Sequence, residues 1–197
     1  MLRWPFERRR AGVEVRLGPL GRGIHARRAF REGDRILKFT GLLLNHDQVL
    51  ALGDAQAYAL QIGPDQYLDT APPGRYTNHS CVPNAGIISD RVLIALKPIP
   101  AGEEIRFDYS TTMSEDHWTL ECRCGEPDCR RLVKDFHLLP SVLQERYVER
   151  GIVQTFILHQ WKQRRRRAAS AAPAEPHPAR QHIHGVAPYG HVRSIDP

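Results

Sequence analysis

Asn78-His79-Ser80-Cys81-Val82-Pro83-Asn84 is the stretch that decides how this chain is read. Small and polar side chains crowd around one thiol there, and Pro83-Asn84 stops any regular element from running on. Downstream, Cys122-Arg123-Cys124-Gly125-Glu126-Pro127-Asp128-Cys129 places three thiols within eight residues, and its Gly, Pro and Asp let the chain fold tightly around a point. Three thiolates are one short of a closed zinc tetrahedron. Cys81 is the only other cysteine in the chain. A site made of Cys81, Cys122, Cys124 and Cys129 would use every thiol; the other reading is four unrelated reduced thiols. The 122–129 loop has too few apolar residues to hold itself by burial, which favours the metal. Metal binding and local folding would then be one equilibrium, on the order of 10 kcal/mol for structural zinc peptides.

The segments before this stretch read as strands. Val13, Val15 and Leu17 alternate with polar residues, as in a half-buried strand. Gly18-Pro19 and Gly21-Arg22-Gly23 break the chain before Ile24-His25-Ala26 resumes it. Phe30–Asp34 looks like a turn feeding a strand over Arg35–Thr40. The spacing predicts a helix over Asp47–Leu60. From Gln66 to Phe107, short apolar runs alternate with Pro, Gly, Asn and Asp, a strand-and-turn pattern. After the cysteines the period changes. Ser141 with Gln144 three residues on predicts a capping box, Leu139, Leu143 and Tyr147 share a face, and Gly151 suits the stop. Ile152, Val153, Phe156, Ile157 and Trp161 form a second amphipathic face, expected to dock on its own domain. The result is a mostly β domain with a short C-terminal helical segment.

Composition sets outer bounds. A hydrophobic content of 41% in 197 residues supports a core and excludes global disorder. No apolar run approaches the roughly 18 residues of a membrane span, and the N-terminus lacks the apolar core of a secretory signal, so an intracellular setting is expected, cytoplasmic or, in a eukaryote, nuclear. The net charge of +6 suggests nucleic acid until it is mapped. Residues 1–35 hold ten Arg against four acidic residues, and residues 162–197 hold seven basic against two acidic. The middle is acidic. Arg8–Arg10 and Arg164–Arg167 could touch nucleic acid weakly and non-specifically, but an acidic middle better suits a basic peptide. From Lys162 the composition turns to Ala, Pro and Arg without periodicity, and 164–197 is expected to be disordered. His182-Ile183-His184 is read as part of that solvated tail.

Three blocks occur in order: Gly21-Arg22-Gly23-Ile24-His25-Ala26, then the 78–84 stretch, then Gly102-Glu103-Glu104-Ile105-Arg106-Phe107-Asp108-Tyr109. With the cysteine run after them they resemble a SET domain followed by a post-SET zinc loop, over about residues 12–135. That resemblance implies a protein-lysine methyltransferase using S-adenosylmethionine, with small curved β-sheets around a knot-like core (the β-clip or SET fold). It divides the chain into a basic extension at 1–11, a SET domain at 12–112, a post-SET zinc segment at 113–135, helices at 136–163 and the tail at 164–197.

By the same resemblance Asn78 and His79 match the pair that holds the cofactor, and Arg75-Tyr76 the Arg-aromatic dipeptide before it. Gly21, Arg22 and Gly23 match a turn whose backbone approaches the cofactor closely. Tyr58 resembles the tyrosine lining both cofactor and lysine channel, and Leu120 the apolar cover of the adenine. Tyr109 matches the catalytic tyrosine. Phe107 sits where the family's product specificity is governed, and Phe there implies di- or trimethylation. The expected partner is a lysine-containing, basic protein or peptide. The chain departs from the family pattern in having no cysteine-rich segment ahead of the domain, a short stretch between Gly41 and Asn78, and Leu42 in place of a common acidic residue. A SET-fold module that only binds is the alternative, weakened because Tyr58, Asn78, His79 and Tyr109 are all present.

Overall fold

Alternating Val13 and Val15 face one side of a strand, and the chain turns back at Pro19-Leu20. A computed structural model describes residues 12–116 and 118–171. In it strands β1 (Val13–Gly18) and β2 (Gly21–Ala26) form a hairpin with Val13 opposite Ala26 and Gly18 opposite Gly21. Gly21 has φ +90°, which the tight two-residue loop requires and L side chains resist. The 21–23 glycines therefore begin a strand rather than form the break expected from sequence.

The remaining strands build small sheets of two or three strands. β3 (Arg35–Lys38), β8 (Ala85–Ile88) and β9 (Val92–Ala95) pair antiparallel in the order β3-β9-β8. β4 (Gly41–Leu44), β5 (Ala59–Gly63) and β6 (Gln66–Thr70) pair antiparallel with β6 in the middle. β7 (Asn78–His79) and β10 (Arg106–Phe107) form a two-residue parallel pair, while β11 (Leu120–Glu121) and β12 (Leu132–Val133) close the cysteine segment antiparallel. The first core, inside these sheets, holds Ile24, Leu68, Leu93, Ile99 and Ile105, none with exposed surface. The mostly β architecture expected from sequence is what the chain adopts.

Helices cover one side. α2 (Ser141–Glu149) and α3 (Thr155–Ala171) bring Leu139, Tyr147, Ile152, Val153 and Ile157 into a second core with Phe136 and Leu96, against Ile88 and Ile94 of the β3-β9-β8 sheet. The docking expected for this amphipathic segment is thus observed. Gly86 makes it possible: a Cβ there would lie 2.7 Å from Ile152 Cγ2. No helix among the described residues is long and apolar enough to cross a membrane.

Several expectations are corrected. The helix expected over Asp47–Leu60 is only α1 (His46–Leu50); Gly53 at φ +57° turns the chain into a 3-10 segment, and pairing with β6 takes Ala59 onward as strand. The capping box lies at Asn45 and Gln48, not at Ser141. Pro140 occupies the N-cap of α2 without a side-chain cap, and Gln144 Nε2 donates instead to the carbonyls of His137 and Leu139. Residues 164–171, expected to be disordered, continue α3. Arg and Ala are strong helix formers, so a docked helix propagates through them without an apolar face. The basic extension at 1–11, the tail beyond 171 and its His182-Ile183-His184 lie outside the described residues.

Candidate active site and metal centre

The short parallel pair between β7 and β10 assembles the site. It sets Asn78 beside Arg106 and His79 beside Phe107, so the residues that follow, Ser80-Cys81 and Asp108-Tyr109, start from one place. Ser80 N–H donates to the Phe107 carbonyl at 3.0 Å. Asp108 then caps a 3-10 turn, Tyr109–Thr112, by accepting from Ser110 N–H.

Tyr109 is held at both ends. Its backbone N–H donates to His79 Nδ1 at 3.2 Å, and its hydroxyl donates to the Thr77 carbonyl at 2.9 Å. Its ring lies 4.9 Å from Phe107 and 5.2 Å from His79, centroid to centroid. Burial raises the phenol's pKa well above its ordinary value, so Tyr109 is a neutral phenol at physiological pH. Burial also lowers His79 to about 4, against the opposing pull of Asp108. The ring is therefore neutral, and accepting from Tyr109 at Nδ1 leaves the proton on Nε2, 3.3 Å from Cys81 Sγ. One imidazole links Tyr109 to a cysteine of the cluster.

Asp108 is the second link. Its carboxylate is 1% exposed, and such burial is costly unless paired. Arg130 Nη2 donates to Oδ1 at 2.8 Å with Nη1 2.8 Å from Oδ2, and the Tyr147 hydroxyl donates to Oδ2 at 2.8 Å. Arg130 follows Cys129 directly and Tyr147 lies on α2. The cysteine loop and the helical layer are thus both anchored on the residue before Tyr109. Sequence reasoning missed both partners, which lie 22 and 39 residues beyond Asp108 and belong to no short motif with it.

Two openings meet at Tyr109. One is walled by Phe39, Tyr58, Arg75, Thr77, Phe107 and Trp118; the other by Leu20, Asn78, His79, Leu120, Glu121 and Arg123. Both reach Tyr109. The structure thus brings Asn78, His79 and Leu120 to one opening and Tyr58, Arg75 and Phe107 to the other. Arg22 and Tyr76 pair beside Asn78, the guanidinium 4.3 Å over the ring with Nη1 donating to the phenol oxygen at 2.8 Å. Arg75 sits 4.5 Å over the Tyr58 ring. Asn78 Nδ2 donates to the Arg22 carbonyl and, at 2.7 Å, to Glu104 Oε1. A Cβ at Gly23 would fall 2.3 Å from that carboxylate oxygen, so a larger residue would displace the Glu104 side chain from Asn78. Glu104 and Leu20 were not singled out from sequence; Glu104 could have been, as it stands in the Gly102–Tyr109 block.

The four cysteines converge. Their sulfurs all lie within 4.8 Å of one another, with Cys81 Sγ and Cys122 Sγ 3.7 Å apart. Four thiolates around zinc at about 2.3 Å have sulfurs about 3.8 Å apart, so this set fits zinc. Burial pushes the Cys81 thiol up to about 11 and Cys122 higher still, so a bound cation would be what makes thiolates of them. The backbone N–H groups of Arg130 and Arg131 point to Cys81 and Cys129 sulfurs, each at 3.4 Å. Arg106 ties the loop to β10 by donating to the Cys124 carbonyl and to Glu126. The 113–135 segment is thus a cysteine loop clamped to the 78–81 stretch.

Part of this chain is similar to known proteins. The family model for the SET domain matches residues 21–110. Histone-lysine N-methyltransferase 2D of Homo sapiens is 26% identical over 127 residues, 56% of this chain and 2% of that protein. Histone-lysine N-methyltransferase Su(var)3-9 of Drosophila melanogaster is 27% identical over 146 residues, covering 57% and 23%. Histone H3-lysine(4) N-trimethyltransferase ATX1 of Arabidopsis thaliana is 30% identical over 133 residues, covering 58% and 12%. The chain spans less than a quarter of the length of each. A solved structure, a humanized mutant of the Chaetomium thermophilum Polycomb Repressive Complex 2 bound to the inhibitor GSK126, aligns with TM-score 0.46 and 24% identity over 52% of this chain and 15% of that one.

Proposed function

Because residues 21–110 are a SET domain of the kind found in histone-lysine methyltransferases, we propose that this protein methylates the side-chain amine of a protein lysine. S-adenosylmethionine, bound at the Asn78–Leu120 opening, would supply an activated sulfonium methyl group. The lysine would enter from the opposite side, past Tyr58 and Phe107. The observation that carries this reading is that the two openings reach the same residue, Tyr109.

The chain's own residues would do three things. Leu20 and Leu120 offer apolar cover on the cofactor side, while Asn78 and His79 define its floor beside the tyrosine. The aromatic walls Phe39, Tyr58, Phe107 and Trp118 make the lysine side poor in water. Desolvation there favours the neutral amine, which lysine, with a pKa of about 10.4, otherwise seldom is. Tyr109, a neutral phenol fixed by Thr77 and His79, positions the reacting nitrogen rather than taking its proton. Water would carry that proton away.

The four cysteines hold a structural zinc in this reading, and Phe107 leaves room for di- or trimethylation. The substrate is expected to be basic, since the middle of the chain is acidic. Transfer of tritiated methyl from S-adenosylmethionine to a mixed preparation of basic proteins tests the proposal, with Tyr109→Phe as control. Labelled bands that fade in the variant support it. No label above control, with cofactor bound and the fold intact, would leave a binding module instead.

A further inference from the structure

Away from the cysteines, Asp116, Asp135 and His137 gather two carboxylates and an imidazole, with one ligand atom of each within 4.8 Å of the others. The cluster lies where the chain after Met113 meets the 3-10 turn Phe136–Leu138, joined by Phe136 N–H donating to the Met113 carbonyl at 3.1 Å. Asp135 is 2% exposed. Its Oδ2 accepts the backbone N–H groups of Glu115 and Asp116 at 2.9 and 2.6 Å, whereas its Oδ1 is buried and has no hydrogen-bond partner among the described residues. His137 Nε2 lies 3.2 Å from Asp116 Oδ1, and His137 Nδ1 is likewise buried without a partner.

A buried carboxylate oxygen and a buried ring nitrogen, both left without partners in one cluster, are unusual, because each forfeits its hydrogen bonds to water. In the tautomer that places the imidazole proton on Nε2, facing Asp116, His137 Nδ1 and the Asp135 oxygen both carry free lone pairs, which a cation can accept. We infer that Asp116, Asp135 and His137 form a second divalent-cation site, separate from the cysteines, that takes a first-row ion such as zinc. One imidazole and two carboxylates suit such an ion, and three protein ligands leave a position open to water. Asp116, whose side chain is 72% exposed, has room to adjust around an ion. The ion would fasten the loop carrying Glu115 and Trp118, which wall the opening assigned above to the lysine. Binding itself does not depend on methyl transfer.

Zinc content after equilibrium dialysis of the full chain tests the inference. Asp116→Asn keeps the side chain's size at an exposed position, and His137→Gln keeps a polar group. Asp135 is left intact because its other oxygen holds two backbone amides. The expected result is one equivalent of zinc fewer in each variant than in the parent chain. The cysteines and all other histidines are common to the proteins compared, so the difference isolates this site. Equal zinc in parent and Asp116→Asn, with the unfolding midpoint unchanged, would overturn the inference.

Discussion

Replacing Tyr147 with Phe removes one oxygen and keeps the ring in the second core, so it isolates the bond to Asp108. That bond is 2.8 Å long, and its acceptor is a carboxylate 1% exposed. Water cannot replace the lost donor at such a site. A hydrogen bond to a charged group contributes about 1.5–3 kcal/mol. With a urea slope of about 2 kcal/mol/M for a domain of this size, the unfolding midpoint should fall by roughly 0.7–1.5 M. Tm should fall by roughly 3–12 °C, since each kcal/mol shifts it by about 2–4 °C. Urea unfolding of the zinc-loaded chain, followed by tryptophan fluorescence, measures the first. Asp108→Asn and the double variant complete a cycle, and the coupling between the two positions should exceed about 1 kcal/mol. A midpoint unchanged by Tyr147→Phe would refute the argument. So would an equally large loss in the Asp108→Asn background, which would place the stabilisation in the ring and not in the bond.

Other outcomes follow from the same geometry. Phe107→Tyr adds a hydroxyl beside Tyr109, 4.9 Å away ring to ring, and should shift products toward monomethylation; mass spectrometry of modified peptides reads the ladder, and an unchanged ladder defeats the Phe107 reading. Removing zinc with a chelator should speed amide exchange across 120–133 before it affects the β1–β2 hairpin, because the cysteine loop has little apolar burial of its own. Uniform exchange across both would contradict that. Burial raises the pKa of Tyr67, Tyr109 and Tyr147 above the ordinary 10. Unfolded tyrosines release protons near pH 10 while these hold theirs, so this stability is complete below pH 10 and declines above it. Urea midpoints at pH 9 and pH 11 should differ in that direction.

Much of the site could be read from sequence because it is local. Asn78, His79 and Cys81 stand within four residues, Phe107 and Tyr109 within three, and the cysteine spacing announces its own geometry. Strands such as β1 showed through alternation. Helix ends were harder. Both Asn45…Gln48 and Ser141…Gln144 have the spacing of a capping box, and only the first forms one, since Pro140 sets the entry to α2. The Arg-rich end of α3 was misjudged because amphipathic periodicity was the criterion, while propensity alone sustains a helix already docked at its start. The Asp108–Arg130–Tyr147 cluster was invisible for a different reason. Its members lie 22 and 39 residues from Asp108, and each is unremarkable in its own neighbourhood. Asp135 and His137 were likewise passed over because their third partner, Asp116, lies across a turn.

The arrangement at Asp108 also bears on vectorial synthesis. β7 and β10 share only two residue pairs, and Tyr109 leans on a neighbour whose charge is balanced by Arg130 and Tyr147. A chain emerging from the ribosome could form the β1–β2 hairpin and both three-stranded sheets early, yet Asp108 would remain an uncompensated buried carboxylate until Tyr147 appeared. The setting of Tyr109 is thus completed by the C-terminal helices, through Tyr147. A nascent chain would stay immature, and a ready target for quality control, until those helices had docked.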